Sequence, residues 1–368
     1  MLAETQTVIV GGGPAGLATA IELRRRGLEA LVIDRSKPPI DKACGEGLMP
    51  DGARCLEEMG VNLAGTEKAP IAGIRYIDET SRAEASFRRD PGLGIRRPDL
   101  HRAMVKRAEQ VGVECLWGLT VRSLEGDGVA TDRGKIRATW TVGADGLHSR
   151  VRRWTNLDSD KHRWQRFGVR RHYAIGPWSD KVEVYWTDEG EAYVTPLGCG
   201  LVGIAILWSG SKNDFSGLLR GFPELEQRVR RAEAVSDDRG AARLEQHTRG
   251  VHRGAVALVG DAAGYRDAIT GEGLSLAFHQ AKALAEAIDK ENLRDYARAA
   301  RRLSRLPNAL IRVLLEIESR PALRRRLLRT LADDPGLFER LLAVHVREAR
   351  PTSVGPSGVM RLAVGLLH

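Results

Sequence analysis

Residues 7–16 read Thr7-Val-Ile-Val-Gly-Gly-Gly-Pro-Ala-Gly16, an apolar run that ends in a glycine-rich turn. An amphipathic stretch follows, and after it comes a second apolar run, Ala30-Leu-Val-Ile-Asp34. This order of strand, turn, helix and strand is typical of a βαβ unit, in which a crossover helix joins two parallel strands. The sequence therefore predicts a Rossmann-like unit over these residues.

The turn satisfies the G-x-G-x-x-G pattern with Gly11, Gly13 and Gly16. Such a turn lets the backbone amides of a helix N-terminus approach a pyrophosphate closely. Asp34 follows at the spacing expected for an acid that binds an adenosine ribose. The unit thus predicts dinucleotide binding, and taken alone it does not distinguish FAD from NAD.

The composition favours a globular enzyme with a substantial core, since 42% of the 368 residues are hydrophobic. We find no leader sequence and no apolar run near the roughly 20 residues of a spanning helix, so we expect a cytoplasmic protein. The cysteines form no C-x-x-C pair, and we therefore expect free thiols and no metal site. They are Cys44, Cys55, Cys115 and Cys199.

The formal net charge of +9 comes with a concentration of arginine near the C-terminus. Solvated helix faces are the ordinary explanation, and no nucleic-acid-binding motif is present, so we expect no nucleic acid partner. Weak contact of these basic helices with a membrane surface stays open. The arginines are Arg298, Arg301, Arg302, Arg305, Arg312, Arg320, Arg324, Arg325, Arg326 and Arg329.

The pattern of the sequence changes twice along the chain. Short alternating segments between about residues 164 and 207 indicate an antiparallel sheet, and an apolar strand pattern returns at 255–259. Beyond residue 296 the chain reads as helical, with breaks near Pro307, Pro321 and Pro335. The predicted organisation is a discontinuous nucleotide-binding domain (1–70, 96–155 and 250–295), an inserted antiparallel sheet domain (71–95 and 156–249) and a C-terminal helical region (296–368).

Two later segments resemble the FAD-dependent hydroxylase family typified by p-hydroxybenzoate hydroxylase. Val142-Gly-Ala-Asp-Gly-Leu-His-Ser-Arg-Val-Arg152 is similar to its DG motif, and Val259-Gly-Asp-Ala-Ala-Gly264 is similar to its GD motif. The resemblance implies that FAD is the cofactor, that Asp145 contacts it, and that the Asp261 carboxylate accepts hydrogen bonds from the ribityl chain. It also implies an α/β fold with the glutathione reductase type 2 layout, an inserted antiparallel β-sheet substrate domain and C-terminal helices.

The same resemblance extends to further residues around the cofactor. Arg97 lies at the family's R-x-x-L helix start, Arg35 where a basic residue near the adenosine is common, and Val121 where the backbone faces the adenine. Backbone amides near Gly271 and Gly273 would stabilise negative charge on the reduced isoalloxazine. The complete predicted cofactor site is Gly11, Gly13, Pro14, Ala15, Gly16, Asp34, Arg35, Arg97, Val121, Asp145, Asp261, Gly271, Gly273 and Leu274.

The segment Lys42-Ala-Cys-Gly-Glu-Gly-Leu-Met-Pro50 resembles a Cys-Gly segment beside the flavin of prenyl reductases, and Thr270-Gly-Glu-Gly273 resembles the geranylgeranyl reductase branch of the superfamily. We predict that Cys44 and Glu46 are catalytic, as proton donor or gate; the alternative is a glycine-rich turn with inert side chains. The inserted sheet should supply the substrate pocket, because something must cover the exposed flavin ring and exclude water. The candidate lining residues are His172, Tyr173, Tyr185, Trp186, Glu191 and Tyr193, with His172, Tyr185 and Tyr193 as the leading candidates.

The leading interpretation of the sequence is an FAD-dependent monooxygenase, which uses NAD(P)H and O2 to hydroxylate a hydrophobic or aromatic small molecule through a flavin C4a-hydroperoxide. NAD(P)H would bind transiently, since no second G-x-G-x-x-G follows a strand. The alternative is a geranylgeranyl reductase-like flavoprotein that reduces alkene bonds. Residues 191–196 keep only the proline of the prenyl reductase motif Tyr-x-Trp-x-Phe-Pro, which counts against this alternative. A halogenase is less favoured again, because Trp-x-Trp-x-Ile-Pro is absent.

Overall fold

The computed structural model describes residues 2–159, 163–198, 200–210 and 214–367, so Cys199 lies outside the described residues. The strands, in chain order, are β1 (Ala3–Val10), β2 (Ala30–Asp34), β3 (Gly47–Leu48), β4 (Ala69–Ile71), β5 (Gly73–Ile77), β6 (Arg82–Ser86), β7 (Gly92–Gly94), β8 (Glu114–Trp117), β9 (Val121–Glu125), β10 (Gly128–Thr131), β11 (Gly134–Gly143), β12 (Asp158–Ser159), β13 (Arg166–Ala174), β14 (Lys181–Thr187), β15 (Gly190–Pro196), β16 (Leu201–Ser209), β17 (Glu233–Ala234), β18 (Arg239–Ala242), β19 (His247–Thr248), β20 (His252–Arg253) and β21 (Val256–Leu258).

The α-helices are α1 (Pro14–Arg24), α2 (Pro50–Glu58), α3 (Arg97–Gln110), α4 (Arg150–Trp154), α5 (Phe215–Leu219), α6 (Pro223–Val229), α7 (Gly273–Asp289), α8 (Leu293–Glu318), α9 (Pro321–Asp333), α10 (Pro335–His345) and α11 (Gly355–Leu367). Two short 3-10 helices cover Gly260–Ala263 and Pro351–Val354.

The first sheet has a parallel core. Strands β21, β11, β1, β2 and β8 lie side by side in this order, and each neighbouring pair is parallel. Strands β9 and β10 extend β11 as antiparallel partners, and β20 adds an antiparallel edge. The predicted βαβ unit is β1, α1 and β2. Because α1 is buried along almost its whole length, between the sheet and α7, the glycine turn at its start is held rigidly.

The second sheet lies in the order β17, β13, β16, β15, β14, β5, β6, and β18 also pairs with β13. Its pairs are antiparallel except for β5 and β14, which are parallel. Strand β5 comes from an earlier segment of the chain, so no hairpin requires it to run antiparallel to β14. The predicted layout of a parallel sheet, an essentially antiparallel second sheet and C-terminal helices is confirmed.

The two faces of the second sheet have different surroundings. Alternation along the strands places His172, Glu191 and Tyr193 on one face, and Tyr173 and Tyr185 on the other. The face with Tyr173 packs on α5 and α6 in a closed apolar cluster. The face with His172 turns toward the loops before β3 and α7 and toward the C-terminal helices. His172, Glu191 and Tyr193 therefore lie on the face of the second sheet that is turned toward these loops.

The C-terminal region is helical, as predicted, but its predicted break at Pro307 is wrong. Helix α8 continues through Pro307, whereas Pro321 and Pro335 each begin a new helix. An internal proline removes one backbone hydrogen bond, here to the carbonyl of Leu303. The long amphipathic helix retains its buried face on both sides of that position, for example at Ile311, and packing outweighs the lost bond.

Tyr296 joins α8 to the first sheet, and loss of its hydroxyl should lower the stability of the whole fold. Its side chain is fully buried and its hydroxyl donates to the Leu258 carbonyl at 2.5 Å. We expect Tyr296→Phe to lower the free energy of unfolding by about 1–3 kcal/mol, because a buried carbonyl loses its partner. Urea unfolding followed by tryptophan fluorescence measures this. Tyr76→Phe is the control, since the Tyr76 hydroxyl has no hydrogen bond to the described residues; equal losses in both variants would contradict the assignment.

Candidate functional site

Three separate segments of the chain meet around the glycine turn. A Cβ on Gly11 would lie 2.3 Å from the Ala144 carbonyl oxygen, and a Cβ on Gly260 would lie 2.7 Å from the Ala15 Cβ. Both glycines have positive φ, +115° and +61°. The turn thus contacts the segment after β11 on one side and the segment after β21 on the other, and glycine is required at both contacts.

Gly13 differs from its neighbours in the turn. A Cβ at Gly16 would lie 1.9 Å from the Gly11 carbonyl oxygen, so Gly16 is needed for packing. A Cβ at Gly13 would meet nothing within 4 Å, and its φ of −70° suits any residue. Gly13 therefore faces open space at the N-terminus of α1, where backbone amides attract an anion. This opening fits a pyrophosphate.

Asp34 ends β2 beside the turn. Its carboxylate accepts hydrogen bonds from the Gly12 and Ser36 amides, both at 2.8 Å, and Arg35 next to it is exposed. His101 on α3 contacts the turn from the other side, with Nε2 2.8 Å from the Gly12 carbonyl oxygen. The Asp34 carboxylate is thus oriented toward the turn before any ligand is bound, as a ribose acceptor requires.

Asp145, which the resemblance places at the cofactor, holds the start of α4. Its carboxylate accepts from the Ser149 hydroxyl at 2.5 Å and from the Arg150 and Val151 amides, so it caps the N-terminus of α4. Arg152 on that helix is 1% exposed and donates to the Ala262 carbonyl at 3.2 Å. Helix α4 therefore positions the segment after β21, and Asp145 acts by fixing α4.

Asp261 lies in the 3-10 helix after β21 with a carboxylate that has no hydrogen bond to the described residues. Burial raises its pKa, while Arg97 and Lys42 oppose this effect. Arg97, at the start of α3, has a buried Nε without a hydrogen-bond partner among the described residues. A half-buried acceptor and a buried donor that lack hydrogen-bond partners among the described residues are suited to a polar ligand. The hydroxyl-rich ribityl chain of FAD fits this requirement.

The remaining predicted cofactor residues lie at the start of β9 and near the start of α7. Val121 begins β9 and its carbonyl accepts from Arg150 at 3.5 Å. Gly271 has a φ of +67° in the loop before α7, and Gly273 and Leu274 begin that helix. Because α7 starts beside the segment of Asp261, its first amides point to the same region.

Glu46 is the most constrained residue of the loop between β2 and β3. It is 2% exposed with a φ of +60°, and its Oε1 accepts from the Arg97 amide at 2.8 Å. Its Oε2 accepts from His172 Nε2 at 2.5 Å. One carboxylate thus joins the loop, helix α3 and the second sheet. The two predicted residues Glu46 and His172 are brought into direct contact.

The surroundings of His172 define where its proton lies. Its Nδ1 is 3.1 Å from Arg170 Nη1 and 2.9 Å from the Ser236 hydroxyl. An arginine can only donate, so Nδ1 accepts and the imidazole proton is on Nε2, directed at Glu46. Arg170 itself is anchored by Asp41 at 2.6 Å. The pair is therefore a carboxylate bound to a neutral imidazole, both fully enclosed.

Cys44 precedes Glu46 by two residues. The Glu46 amide donates to its Sγ at 3.4 Å. Burial raises the pKa of the Cys44 thiol above its ordinary value, although Arg97 nearby opposes the effect. Cys44 therefore carries its proton at neutral pH. Cys44 and Glu46 thus lie in one loop, and the Glu46 carboxylate contacts the His172 imidazole on β13.

Two of the tyrosines predicted to line a pocket lie on opposite faces of the second sheet. Tyr193 lies on the same face as His172, and its hydroxyl donates to the Ile269 carbonyl at 2.9 Å. Tyr185 lies on the opposite face, where its hydroxyl donates to Glu183 and its ring packs on α5 and α6. Tyr185 is thus not part of this site, because the hairpin pairs Tyr185 with Ala192 and turns its side chain away.

A cluster of four charged residues lies beside Tyr193, and the sequence did not reveal it as a unit. Arg166 is 1% exposed and contacts Glu191 at 2.5 Å, Asp267 at 3.1 Å and Glu318 at 3.2 Å. Three carboxylates share one guanidinium, and burial raises the pKa of Glu191 to about 8. The cluster joins β13, β15, the loop before α7 and helix α8. Four residues this far apart in sequence give no local signal.

Tyr265 was also missed. Its ring lies against Gly273, and burial followed by the charge of Asp261 raises its pKa well above the ordinary value. Cys44 contributes to the same shift, so Tyr265 lies within electrostatic range of both Cys44 and Asp261. It comes directly after the GD motif, four residues after Asp261, and this position is the signal that could have indicated it.

Other site types receive no support within the described ranges. No group of three or more acidic, histidine or cysteine side chains there could hold a metal ion. Among the same residues, no helix is long and apolar enough to cross a membrane.

Comparison with known proteins gives relatives that match most of the chain. Menaquinone reductase of Mycobacterium tuberculosis (strain ATCC 25618 / H37Rv) is 27% identical over 321 residues, covering 78% of this chain and 77% of that protein. The 6-methylpretetramide 4-monooxygenase of Streptomyces rimosus is also 27% identical, over 76% of this chain and 74% of that protein. The two relatives have different names and cover almost equal shares of the chain, so likeness alone does not choose between a reductase and a monooxygenase.

Among solved structures, a flavoprotein/dehydrogenase from Cytophaga hutchinsonii superimposes with a TM-score of 0.83. The alignment covers 99% of this chain and 98% of that one, at 15% sequence identity. An identity this low establishes a shared fold and nothing about activity.

The Arg166 cluster predicts how stability depends on pH. A carboxyl whose pKa is raised from 4.5 to about 8 by folding stabilises the fold below 4.5, and this contribution is lost as the pH rises through 8. The free energy of unfolding should therefore fall between about pH 5 and pH 8. Glu191→Gln should flatten this dependence, because a neutral amide cannot ionise. Thermal melting across that range tests it; an unchanged slope in the variant would be inconsistent with a protonated Glu191.

The glycine turn predicts a separation between folding and FAD binding. Gly13→Ala should leave the melting temperature of the apoprotein unchanged, since its Cβ enters open space, and should weaken FAD binding by about tenfold or more, a loss of about 1.4 kcal/mol. Gly11→Ala is the matched variant and should lower the melting temperature of the apoprotein. FAD titration followed by flavin fluorescence measures the affinity. Wild-type affinity in Gly13→Ala would exclude the pyrophosphate position.

The span of the family likeness matches the extent of the site. Residues 4–301 match the family model described as "FAD binding domain". This span includes the glycine turn, Asp34, the Glu46 loop, the Asp261 segment and the start of α7. The open turn and the unpartnered polar atoms near Asp261 fit the cofactor that the family binds. The chain belongs to the FAD binding domain family and is an FAD-dependent oxidoreductase.

Proposed function

We propose that this oxidoreductase is a geranylgeranyl reductase-like enzyme, which reduces an alkene bond of a hydrophobic substrate with NAD(P)H as the reductant. The observation that carries the proposal is the protonated Cys44 thiol beside the hydrogen-bonded pair of Glu46 and His172. The likeness to menaquinone reductase over 78% of the chain supports it. We therefore favour an alkene reductase over a monooxygenase.

FAD would be held by the groups whose geometry fits it. The amides at the start of α1, around Gly13, would bind the pyrophosphate, and Asp34 would bind the adenosine ribose. Asp261 would accept from the ribityl chain, and Arg97 would contact the cofactor from α3. The first amides of α7, at Gly273, would stabilise negative charge on the reduced ring.

The chain's own contribution to the reaction is delivery of a proton. When bound, FAD would supply hydride chemistry, with NAD(P)H as the source of the hydride for one carbon of the alkene. The adjacent carbon then takes a proton, and Cys44 has one to give because burial keeps its thiol neutral. His172 donates its Nε2 proton to the Glu46 carboxylate, so this pair positions the loop that carries Cys44. A neutral thiol is a poor base, so this arrangement suits protonation better than proton removal.

A monooxygenase acting on a hydrophobic or aromatic substrate with O2 is the second candidate. It is favoured by the likeness to 6-methylpretetramide 4-monooxygenase over 76% of the chain. In such a reaction Glu46 would accept a proton from the substrate rather than help to supply one. The raised pKa of Cys44 leaves the thiol without a part in that reaction.

Anaerobic turnover separates the two candidates. The FAD-loaded protein is mixed with NADPH and a short-chain menaquinone, or with geranylgeraniol, in the absence of O2. A product whose isoprenoid chain keeps two added hydrogens after exposure to air, which reoxidises a reduced quinone ring, supports the reductase. Turnover that requires O2 and adds one oxygen atom would instead establish the monooxygenase and overturn the first proposal.

Substitutions in the Cys44 loop should slow product formation and leave flavin reduction unchanged. Cys44→Ser and Glu46→Gln should each lower product formation by about a hundredfold, the usual contribution of a positioned proton donor, while NADPH still reduces the bound flavin at the wild-type rate. Cys115→Ser is the control, since Cys115 lies on β8, and should keep full turnover. Rapid mixing measures flavin reduction and mass spectrometry measures product. Equal slowing of both steps would show that these residues only position FAD.

A further inference from the structure

Helix α11 leaves an apolar face uncovered. Its exposed side chains include Val359 (60% exposed), Met360 (65%), Val364 (47%) and Leu367 (74%), and Arg361 is the only charged residue of the helix. An open groove of about 600 Å³ lies between the start of this helix and the preceding 3-10 helix. Surface helices normally present polar residues to water, so this face indicates a binding partner.

The charge of the chain is concentrated in the same region. Residues 293–368 contain fifteen arginines, no lysine and seven acidic residues, which gives a net charge of +8 out of the +9 of the whole chain. The remainder of the protein is almost neutral. Basic side chains near an anionic bilayer are attracted to its negative surface potential. Long-range attraction to such a surface therefore acts through the C-terminal helices.

The basic and apolar groups are neighbours in space. Helix α9 packs on α11 where Arg326 donates to the Leu366 carbonyl at 3.1 Å and Thr330 lies against Gly365. Arg325 and Arg329, one residue before each of these contacts, are exposed. Arginines thus flank the end of the apolar helix. This combination is typical of helices that lie in the plane of an anionic membrane interface.

We propose that α11 docks the protein on an anionic lipid surface. Its apolar face would enter the boundary between headgroups and acyl chains, and Arg325 and Arg329 would contact lipid phosphates. With thirteen residues the helix is too short to span a bilayer, so the contact is interfacial. The inference is independent of the reaction that the enzyme catalyses.

Vesicle sedimentation of the full FAD-loaded chain tests the proposal. The protein should sediment with vesicles of phosphatidylcholine and phosphatidylglycerol at low salt, should do so less at high salt, and should stay in solution with phosphatidylcholine alone. Met360→Glu combined with Leu367→Glu should weaken binding by at least about tenfold, because both side chains would no longer enter the interface. Leu2→Glu is the matched control, since Leu2 is 44% exposed and lies beside the first sheet.

A double substitution that removes only charge measures the electrostatic contribution to vesicle binding. Arg325→Gln with Arg329→Gln should weaken binding to anionic vesicles about tenfold or more, whereas Arg89→Gln with Arg122→Gln, also exposed, should not. Bound flavin and melting temperature should match the wild type in all variants. Absence of sedimentation with anionic vesicles would overturn the proposal. So would a dimer in solution that Met360→Glu dissociates, because the face would then bind a second copy.

Discussion

The Glu46 carboxylate is the contact on which the site depends. One oxygen accepts from the backbone of α3 and the other from His172 on the second sheet, so a single side chain fixes how the two sheets meet. Its own φ of +60° is costly for a residue with a Cβ and persists because these contacts compensate for it. Loss of the carboxylate would leave the Arg97 amide and the His172 imidazole without their acceptor in a region that water does not reach. The same side chain therefore supports the fold and belongs to the candidate site.

The buried cluster around Arg166 has an excess of carboxylates, in contrast to the surroundings of Glu46. Around Glu46 the charges are balanced by donors, whereas around Arg166 three carboxylates face one guanidinium. Burial makes three ionised carboxylates untenable there, so Glu191 retains a proton at neutral pH. The protonated cluster holds Asp267, and with it the loop that leads to α7. The position of that loop is thus set by a charge balance as well as by packing.

Much of the fold could be predicted because its signals are local. The glycine turn, the strand before it and Asp34 form one continuous pattern, and the two later motifs each occupy about ten residues. The contact between Glu46 and His172 could not be predicted, because it joins residues 126 positions apart through the packing of two sheets. The two tyrosines show the intermediate case. The pairing of Thr187 with Gly190 fixes the register of the hairpin, and this register alone decides that Tyr193 faces the site and Tyr185 does not.

The C-terminal helices belong to the site although the family likeness ends at residue 301. Glu318 on α8 contacts Arg166, and His345 at the end of α10 donates to the Thr270 carbonyl at 3.1 Å, in the loop before α7. Arg347 follows and contacts Asp51 at 2.6 Å. These helices pack over the sheet face that bears Tyr193, which is the face predicted to meet the substrate. Residues 4–301 thus match the FAD-binding family, whereas α9 and α10, which contact residues of that part, lie outside the match. Proteins with one FAD-binding framework can in this way carry different activities.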